Sequence, residues 1–446
     1  MGRGWRFWRR KPVLIRDLIV AHMRGPCADA ETVSHAIRPI ERVNLQLVFD
    51  RWLAASGPRG RLVGYNRDSF FTNTGISQVL FEDILQAPVQ RQRFALTPAE
   101  EIDCVTRGLY LLALHGRPVV VLLSNPDSRF DPPLVEVMAR ERSVAREALQ
   151  QLLDETNRDL VYRGKTIYLE EDQRSSGVQV RFHPMAPTVR EALVLPEAMM
   201  AVVERNVLGL LRHADVLKRS GRSTRHGLLF HGPPGTGKTL MLRYLAGACQ
   251  GHTVIVLTGR QVGLIRESCQ VAKMLAPAMV LLEDVDLIGQ ERSENRCPAL
   301  LHELMDEMDG LGTKADIIFL LTTNRPEALE PALSARPGRI DQAIEFPLPD
   351  DDCRRRLFAL YGKGLDLTQL DLERWIDKTR GVSPAFIEEL LRKSALQAAE
   401  RGERGEPLSV TDADVEKAMD ELVCFGGELT QKLLGYRPFG FARRSG

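Results

Sequence analysis

Long apolar runs are missing. No stretch of the 446 residues approaches the ~20 apolar positions needed to span a bilayer, so no transmembrane segment is expected and the chain reads as cytoplasmic. An excess of one charge is missing as well. Lys and Arg number 60 against 59 Asp and Glu, a formal net charge of +1. That balance argues against bulk nucleic-acid binding and leaves room only for a local patch. The cysteines Cys27, Cys104, Cys249, Cys269, Cys297, Cys353 and Cys424 are widely spaced and form no Cys-x-x-Cys pair. Reduced, buried thiols are expected rather than a disulfide framework. Trp5, Trp8, Trp52 and Trp375 are too scattered for a base-stacking platform. His302-Glu303-Leu304-Met305-Asp306 lacks the second histidine of the zinc-protease motif. No internal repeat or low-complexity tract is present. The first eleven residues are basic with interleaved aromatics, and the apolar stretch after them is broken by Arg16 and Asp17, which makes a poor signal peptide.

A hydrophobic fraction of 44% and this length suit a globular chain of two or three domains. Residues 1–185 hold no catalytic motif and read as an N-terminal α/β domain for recognition or substrate binding. Its expected elements are helices over 38–55, 98–115 and 133–156 and strands at 118–123, 160–170 and 177–182. A helix over 196–219 follows. Then β-type runs at 227–231, 253–258, 278–283, 317–322 and 342–346 alternate with helices, as a parallel sheet requires, so 186–350 is a second domain. Helical periodicity over 351–425 indicates a small all-α domain, and 426–446 is a glycine-rich tail.

Residues 232–239 read Gly-Pro-Pro-Gly-Thr-Gly-Lys-Thr, a full match to the phosphate-cradling loop of P-loop NTPases. The apolar strand before it and the helix opening at Leu240 supply the required context. Backbone N–H groups of Gly232, Pro233, Pro234, Gly235, Thr236, Gly237, Lys238, Thr239 and Leu240, proline aside, would converge on a polyphosphate at a helix N-terminus. Lys238 is placed to reach the β/γ-phosphates of ATP, and the Thr239 hydroxyl to ligate Mg²⁺. The apolar run 279–282 ends in Glu283-Asp284-Val285-Asp286, carboxylates suited to a Mg²⁺ shell and to orienting an attacking water. The run 317–321 ends in Thr322-Thr323-Asn324, whose amide suits the opposite side of that water. Arg336 and Arg339 follow, planar forks suited to a phosphoryl group gaining charge.

With these motifs in this order, the sequence resembles the AAA ATPase family over residues 190–425. Matching segments include Met308-Asp309-Gly310-Leu311, the stretch from Thr323 to Asp341, and Gly381-Val382-Ser383-Pro384-Ala385. The resemblance implies a P-loop NTPase large domain with a helical lid. It makes Asn324 the sensor residue, Arg336 and Arg339 arginine fingers into a neighbouring subunit, and Pro384 and Ala385 adenine contacts. It also implies self-assembly into a ring, typically a hexamer.

Two departures stand out. Most of the family ends this strand in Asp-Glu; here the order is Glu283-Asp284, which by position gives Glu283 the metal role and Asp284 the base role. An aspartate base is shorter by one C–C bond, ~1.5 Å. The mitochondrial AAA proteins that assemble respiratory complex III carry the same inversion, so it reads as a modified active site rather than a dead one. The second departure is in the pore loop. No aromatic lies between His252 and the end of the next helix, leaving Val262 and Leu264 as weak substitutes for the usual threading residue. The expectation is therefore an ATP-hydrolysing ring that remodels a protein client chosen by the N-terminal domain. The alternatives are a nucleic-acid-associated ATPase, which is less favoured, and a slow, nucleotide-gated assembly scaffold.

Overall fold

The computed structural model describes residues 13–66, 75–125, 132–171, 178–258, 263–286, 303–308, 310, 316–327, 329 and 340–425. The basic N-terminal segment, Asp309 and Leu311, Val262, and the Arg336–Arg339 pair lie outside them. The chain divides into two compact units, residues 1–163 with 167–183 and residues 164–166 with 184–446.

The first unit contains α1 (Ile15–Met23), β1 (Glu31–Ala36), α2 (Arg42–Ala55), β2 (Arg61–Tyr65), α3 (Ile76–Phe81), β3 (Gln86–Ala87), β4 (Gln90–Ala95), β5 (Glu101–Leu114), β6 (Arg117–Ser124), β7 (Leu134–Ala139), α4 (Arg142–Arg158), β8 (Thr166–Glu171) and β9 (Val178–Phe182). Strands β1 to β7 form an antiparallel sheet ordered β1-β7-β6-β5-β2-β3, with β4 pairing the first half of β5. Two helical expectations fail here. Within 98–115, Glu101–Leu114 form the longest strand of the sheet, and the front of 133–156 is β7, the helix beginning only at Arg142. The cause is burial of both faces. Tyr110 and Leu112 pack with α2 and α4, and Phe49 of α2 stacks on Tyr110 with ring centroids 4.5 Å apart. Leu109 and Leu111 pack on the other face with α1 and α3. A strand buried on both sides loses its polar alternation and reads as a helix-length apolar run.

In the second unit the expected helix 196–219 runs as α5 (Glu197–Glu204), continues through a π-helical turn at Arg205–Gly209 into α6 (Leu210–Arg212), and is interrupted at His213 before α7 (Ala214–Arg219). Gly209, a poor helix former, lies in the turn. Then come β10 (His226–His231), α8 (Lys238–Ala248), β11 (Thr253–Leu257), α9 (Ile265–Met274), β12 (Ala278–Leu282), β13 (Ile317–Thr323) and β14 (Gln342–Glu345). The order β14-β10-β13-β12-β11 is parallel at every pairing. Every residue of β11, β12 and β13 is buried, the pattern of a sheet covered on both faces.

The chain continues through α10 (Asp351–Tyr361), β15 (Leu365–Asp366), α11 (Leu372–Lys378), α12 (Pro384–Glu400), β16 (Leu408–Ser409) and α13 (Asp412–Asp420). Its core centres on Trp375, Phe358, Phe386 and Leu390. Side chains cap the helices: Asp350 accepts from the Cys353 N–H at 2.8 Å, and Ser383 from the Phe386 N–H at 3.3 Å. The region is helical as expected except that β15 and β16 pair in parallel. Cys104, Cys249, Cys269 and Cys353 are buried and free, and burial pushes each thiol up to about 12. Among the described residues no helix is long and apolar enough to cross a membrane.

Candidate active site

The site grows out of sheet register. His231 pairs with Thr323, and Leu282 with Leu321. The residues that follow β10, β12 and β13 therefore leave one edge of the sheet side by side. In a parallel sheet that carboxyl edge is where ligands bind. From β10 emerges the glycine loop, from β12 the acids, and from β13 Asn324.

Glycine is required in the loop by space as well as by φ. Gly232 has φ +141°, and a Cβ there would lie 2.3 Å from the Phe346 carbonyl oxygen. Gly235 has φ +73°, and its Cβ would lie 2.9 Å from Ala385 Cβ and from Ser383 Oγ. Lys238 opens α8 and curls back across the loop. Its ammonium donates to the carbonyls of Gly232 (2.9 Å) and Pro233 (2.8 Å). Only 5% of the residue is exposed. Burial pushes its pKa down to about 8, against the opposing pull of Asp284 and Asp286. A phosphate anion favours the protonated amine, so its binding is linked to that proton. From about pH 8 upward, ATP affinity is expected to fall by up to about tenfold per pH unit. Below that pH affinity should be flat in this respect. Titration calorimetry across it checks the slope.

At the tip of β12 the Asp284 N–H donates to Thr322 Oγ1 at 2.9 Å, and the Asn324 amide donates to Asp284 Oδ1 at 3.1 Å. Asp284 holds a left-handed backbone, φ +48°, which turns its carboxylate away from the strand direction. Burial raises its pKa, Asp286 adds to this, and Lys238 and Asn324 oppose it. Asp286, 4% exposed, accepts from Thr323 Oγ1 (2.8 Å) and the Asn324 N–H (3.1 Å), locking the asparagine backbone. Glu283 is raised by burial, held down by the Arg243 charge and raised again by Asp284.

Lys238, Thr239, Asp284 and Asn324 face one cavity of about 460 Å³, closed on other sides by residues 192–195 and by Pro384 and Ala385. Its size and mixed lining suit a nucleotide. The donor set fits Mg²⁺: the Thr239 hydroxyl and carboxylate oxygens are hard ligands, and Mg²⁺ takes its remaining positions from phosphates and water.

A family model described as "ATPase family associated with various cellular activities (AAA)" matches residues 228–348. The chain carries an AAA ATPase domain.

The chain is similar to a cell division cycle protein 48 homolog of Archaeoglobus fulgidus, 28% identical over 369 residues, covering 78% of this chain and 47% of that protein. It is similar to a proteasome-activating nucleotidase of Thermococcus gammatolerans, 30% identical over 251 residues, 53% of this chain and 62% of the relative. The same holds for an ATP-dependent zinc metalloprotease FtsH 1 of Sphaerobacter thermophilus, 31% identical over 268 residues, 56% of this chain and 40% of the relative. The chain spans about half the length of the first curated relatives it matches.

Within the AAA domain and the helical region that follows it, the sequence-derived residues divide. Pro234, Gly235, Thr236, Gly237, Lys238, Thr239, Leu240, Asp284, Asn324, Pro384 and Ala385 all line the cavity, whereas Gly232, Pro233 and Glu283 do not. The Ala385 N–H donates to the Gly235 carbonyl at 3.3 Å, so the start of α12 rests directly on the phosphate loop. Arg336 and Arg339 fall outside the described residues. Leu264, weighed as a pore-loop residue, is buried at 6% exposure and faces the core instead.

Sequence reasoning assigned nothing to Arg243 or residues 192–195, and named Asp286 among the acids without a role of its own. Arg243 lies four positions after Thr239, on the same face of α8, and that spacing was a usable signal. Residues 192–195 carry none. They reach the cavity because Arg356 of α10 donates to the Leu195 carbonyl at 3.1 Å.

Proposed function

We propose that this chain is a Mg²⁺-dependent ATPase that assembles into a ring, typically a hexamer, and uses ATP hydrolysis to remodel a protein or protein complex. The convergence of Lys238, Asp284 and Asn324 on one cavity at the carboxyl edge of the parallel sheet carries the reading. Lys238 holds the β/γ-phosphates. Asp284, oriented by the Asn324 amide, accepts the proton of the attacking water; Asn324 fixes that water from the neighbouring strand. Thr239 would ligate Mg²⁺ directly, and the ion when bound neutralises charge on the phosphates; Glu283, which does not line the cavity, would act on the ion through water. Arg336 and Arg339 complete the site of the adjacent subunit, and residues 1–185 select the client. The protein acts in the cytoplasm. Sequence similarity to a proteasome-activating nucleotidase and a cell division cycle protein 48 homolog supports this reading.

The two acids test it. Asp284→Asn should still bind Mg-ATP and hydrolyse it at least ~10²-fold more slowly, as loss of a general base demands. Glu283→Gln should instead raise the Mg²⁺ concentration needed for half-maximal turnover. The Asp284→Asn protein, held in its ATP state, should retain client proteins through affinity purification, and unfolded protein rather than single-stranded DNA should stimulate the wild-type ATPase. Swapped phenotypes for the two acids would overturn the role assignment, and stimulation by DNA alone would overturn the protein client.

A further inference from the structure

The first unit holds a second cavity, of about 300 Å³, that the nucleotide chemistry does not use. Three pieces of chain build it. The end of α1 contributes Leu18, His22 and Arg24; the entry to β2 contributes Arg59 and Arg61; the β5–β6 hairpin contributes Leu111 and the turn beyond it. That turn, His115-Gly116, has φ +49° and +78°, the left-handed pair of a tight two-residue hairpin, so it brings β6 straight back beside β5. Arg24 is the left-handed cap of α1, with φ +59°, and this places its side chain at the helix end.

The lining is of one sign. Arg24, Arg59 and Arg61 are exposed, and none forms an ion pair or side-chain hydrogen bond among the described residues. Among the described residues no carboxylate lines the cavity. The remaining titratable group is His22, whose Nε2 lies 2.9 Å from the Leu112 carbonyl. Burial holds its imidazole below the ordinary value, two backbone hydrogen bonds oppose this, and the Arg24 charge adds to the lowering. Two arginines outside the cavity show the contrast: Arg16 meets Asp83 at 2.7 Å, and Arg51 meets Glu155 at 3.3 Å. In a chain of net charge +1, three unpaired arginines around one apolar-floored basin are a concentrated positive site.

We propose that this basin binds an acidic peptide segment of the client protein, with carboxylates on the arginine rim and a neighbouring aliphatic side chain on the Leu18–Leu111 floor. Guanidinium forks match carboxylates in bidentate geometry, and the rim carries three of them. The floor separates a peptide from a nucleic acid. Single-stranded nucleic acid is held by aromatic platforms under successive bases, and among the described residues no aromatic ring other than His22 lines the cavity. The identity of the ligand as a client rests on the remodelling function proposed above. The basin itself is read by binding alone, without nucleotide turnover, so the two ideas fail separately.

The full chain is titrated, without nucleotide, against a fluorescein-labelled short peptide of alternating Glu and Leu, and anisotropy is followed. Saturable binding is expected, weakening as salt is raised. Replacing Glu by Gln in the peptide, or Arg24, Arg59 and Arg61 together by Glu, should each weaken it by about tenfold or more. Basal ATP turnover of the triple variant should stay at the wild-type level. A triple Arg→Gln variant, which adds no new repulsion, should show the same loss at smaller amplitude. Equal affinity of wild-type and both variants would overturn the proposal. So would a thymidine oligonucleotide that displaces the peptide and depends on the same arginines, since the basin would then be a nucleic-acid site.

Discussion

Lys238→Ala is expected to abolish ATP binding at working concentrations and, with it, turnover. The lysine is the loop's own cation, 95% removed from solvent by the residue's 5% exposure and already aimed at the loop carbonyls. Truncating one partner of a buried charge pair costs about 2–5 kcal/mol, or roughly 30- to 5,000-fold in affinity. The free protein should tolerate the change. Its pKa is lowered from the unfolded value of 10.5 to about 8, so the buried charge opposes folding below about pH 8 and ceases to do so above 10.5. At neutral pH the variant therefore sheds a destabilising charge while it loses two hydrogen bonds, and its melting temperature should change little. The wild-type rise in melting temperature on adding Mg-ATP should vanish. A fluorescent-ATP titration with unchanged affinity would remove Lys238 from the site.

Arg339→Ala is expected to leave ATP binding nearly intact and to cut turnover by about 10³–10⁵-fold, the range for arginine fingers supplied in trans. Among the described residues lining the nucleotide cavity, the cations are Lys238 and Arg243, both on α8. Charge developing on the outer face of the γ-phosphate thus has no described cation from the same subunit. The AAA resemblance assigns that duty to Arg336 and Arg339 of a neighbour. Mixing Arg339→Ala with Lys238→Ala protein separates the two halves of such a site. One variant still supplies an intact loop and the other an intact finger, so mixed rings should regain part of the activity. Specific activity of the wild type should also rise with protein concentration as rings form. Constant turnover per subunit at concentrations where light scattering shows only monomers would exclude a shared site.

The inverted acids illustrate how much of the site was legible without coordinates. Their place at the end of an apolar run gave both candidates, because a parallel strand buried on two faces announces its own carboxyl end. Which of the two points into the cavity was not legible. Asp284 does so because its left-handed backbone and its bonds with Thr322 and Asn324 turn it there. Asn324 is itself held by Asp286, an acid noted in sequence with its neighbours and given no role of its own.

The sequence by itself determined the phosphate loop, the five parallel strands and the mostly helical region after them with its Ser383-Pro384 helix start. Each of these is encoded in contiguous residues: glycines at fixed spacing, short apolar runs, and a capping side chain beside the helix it begins. The tertiary structure alone decided that residues 101–114 are a strand, that residues 192–195 wall the nucleotide cavity, and that Arg24, Arg59 and Arg61 ring a single basin. Those features depend on partners distant in the chain. An apolar run covered on both faces has no period to betray it, and side chains separated by tens of residues meet only when the sheet and its helices close around them.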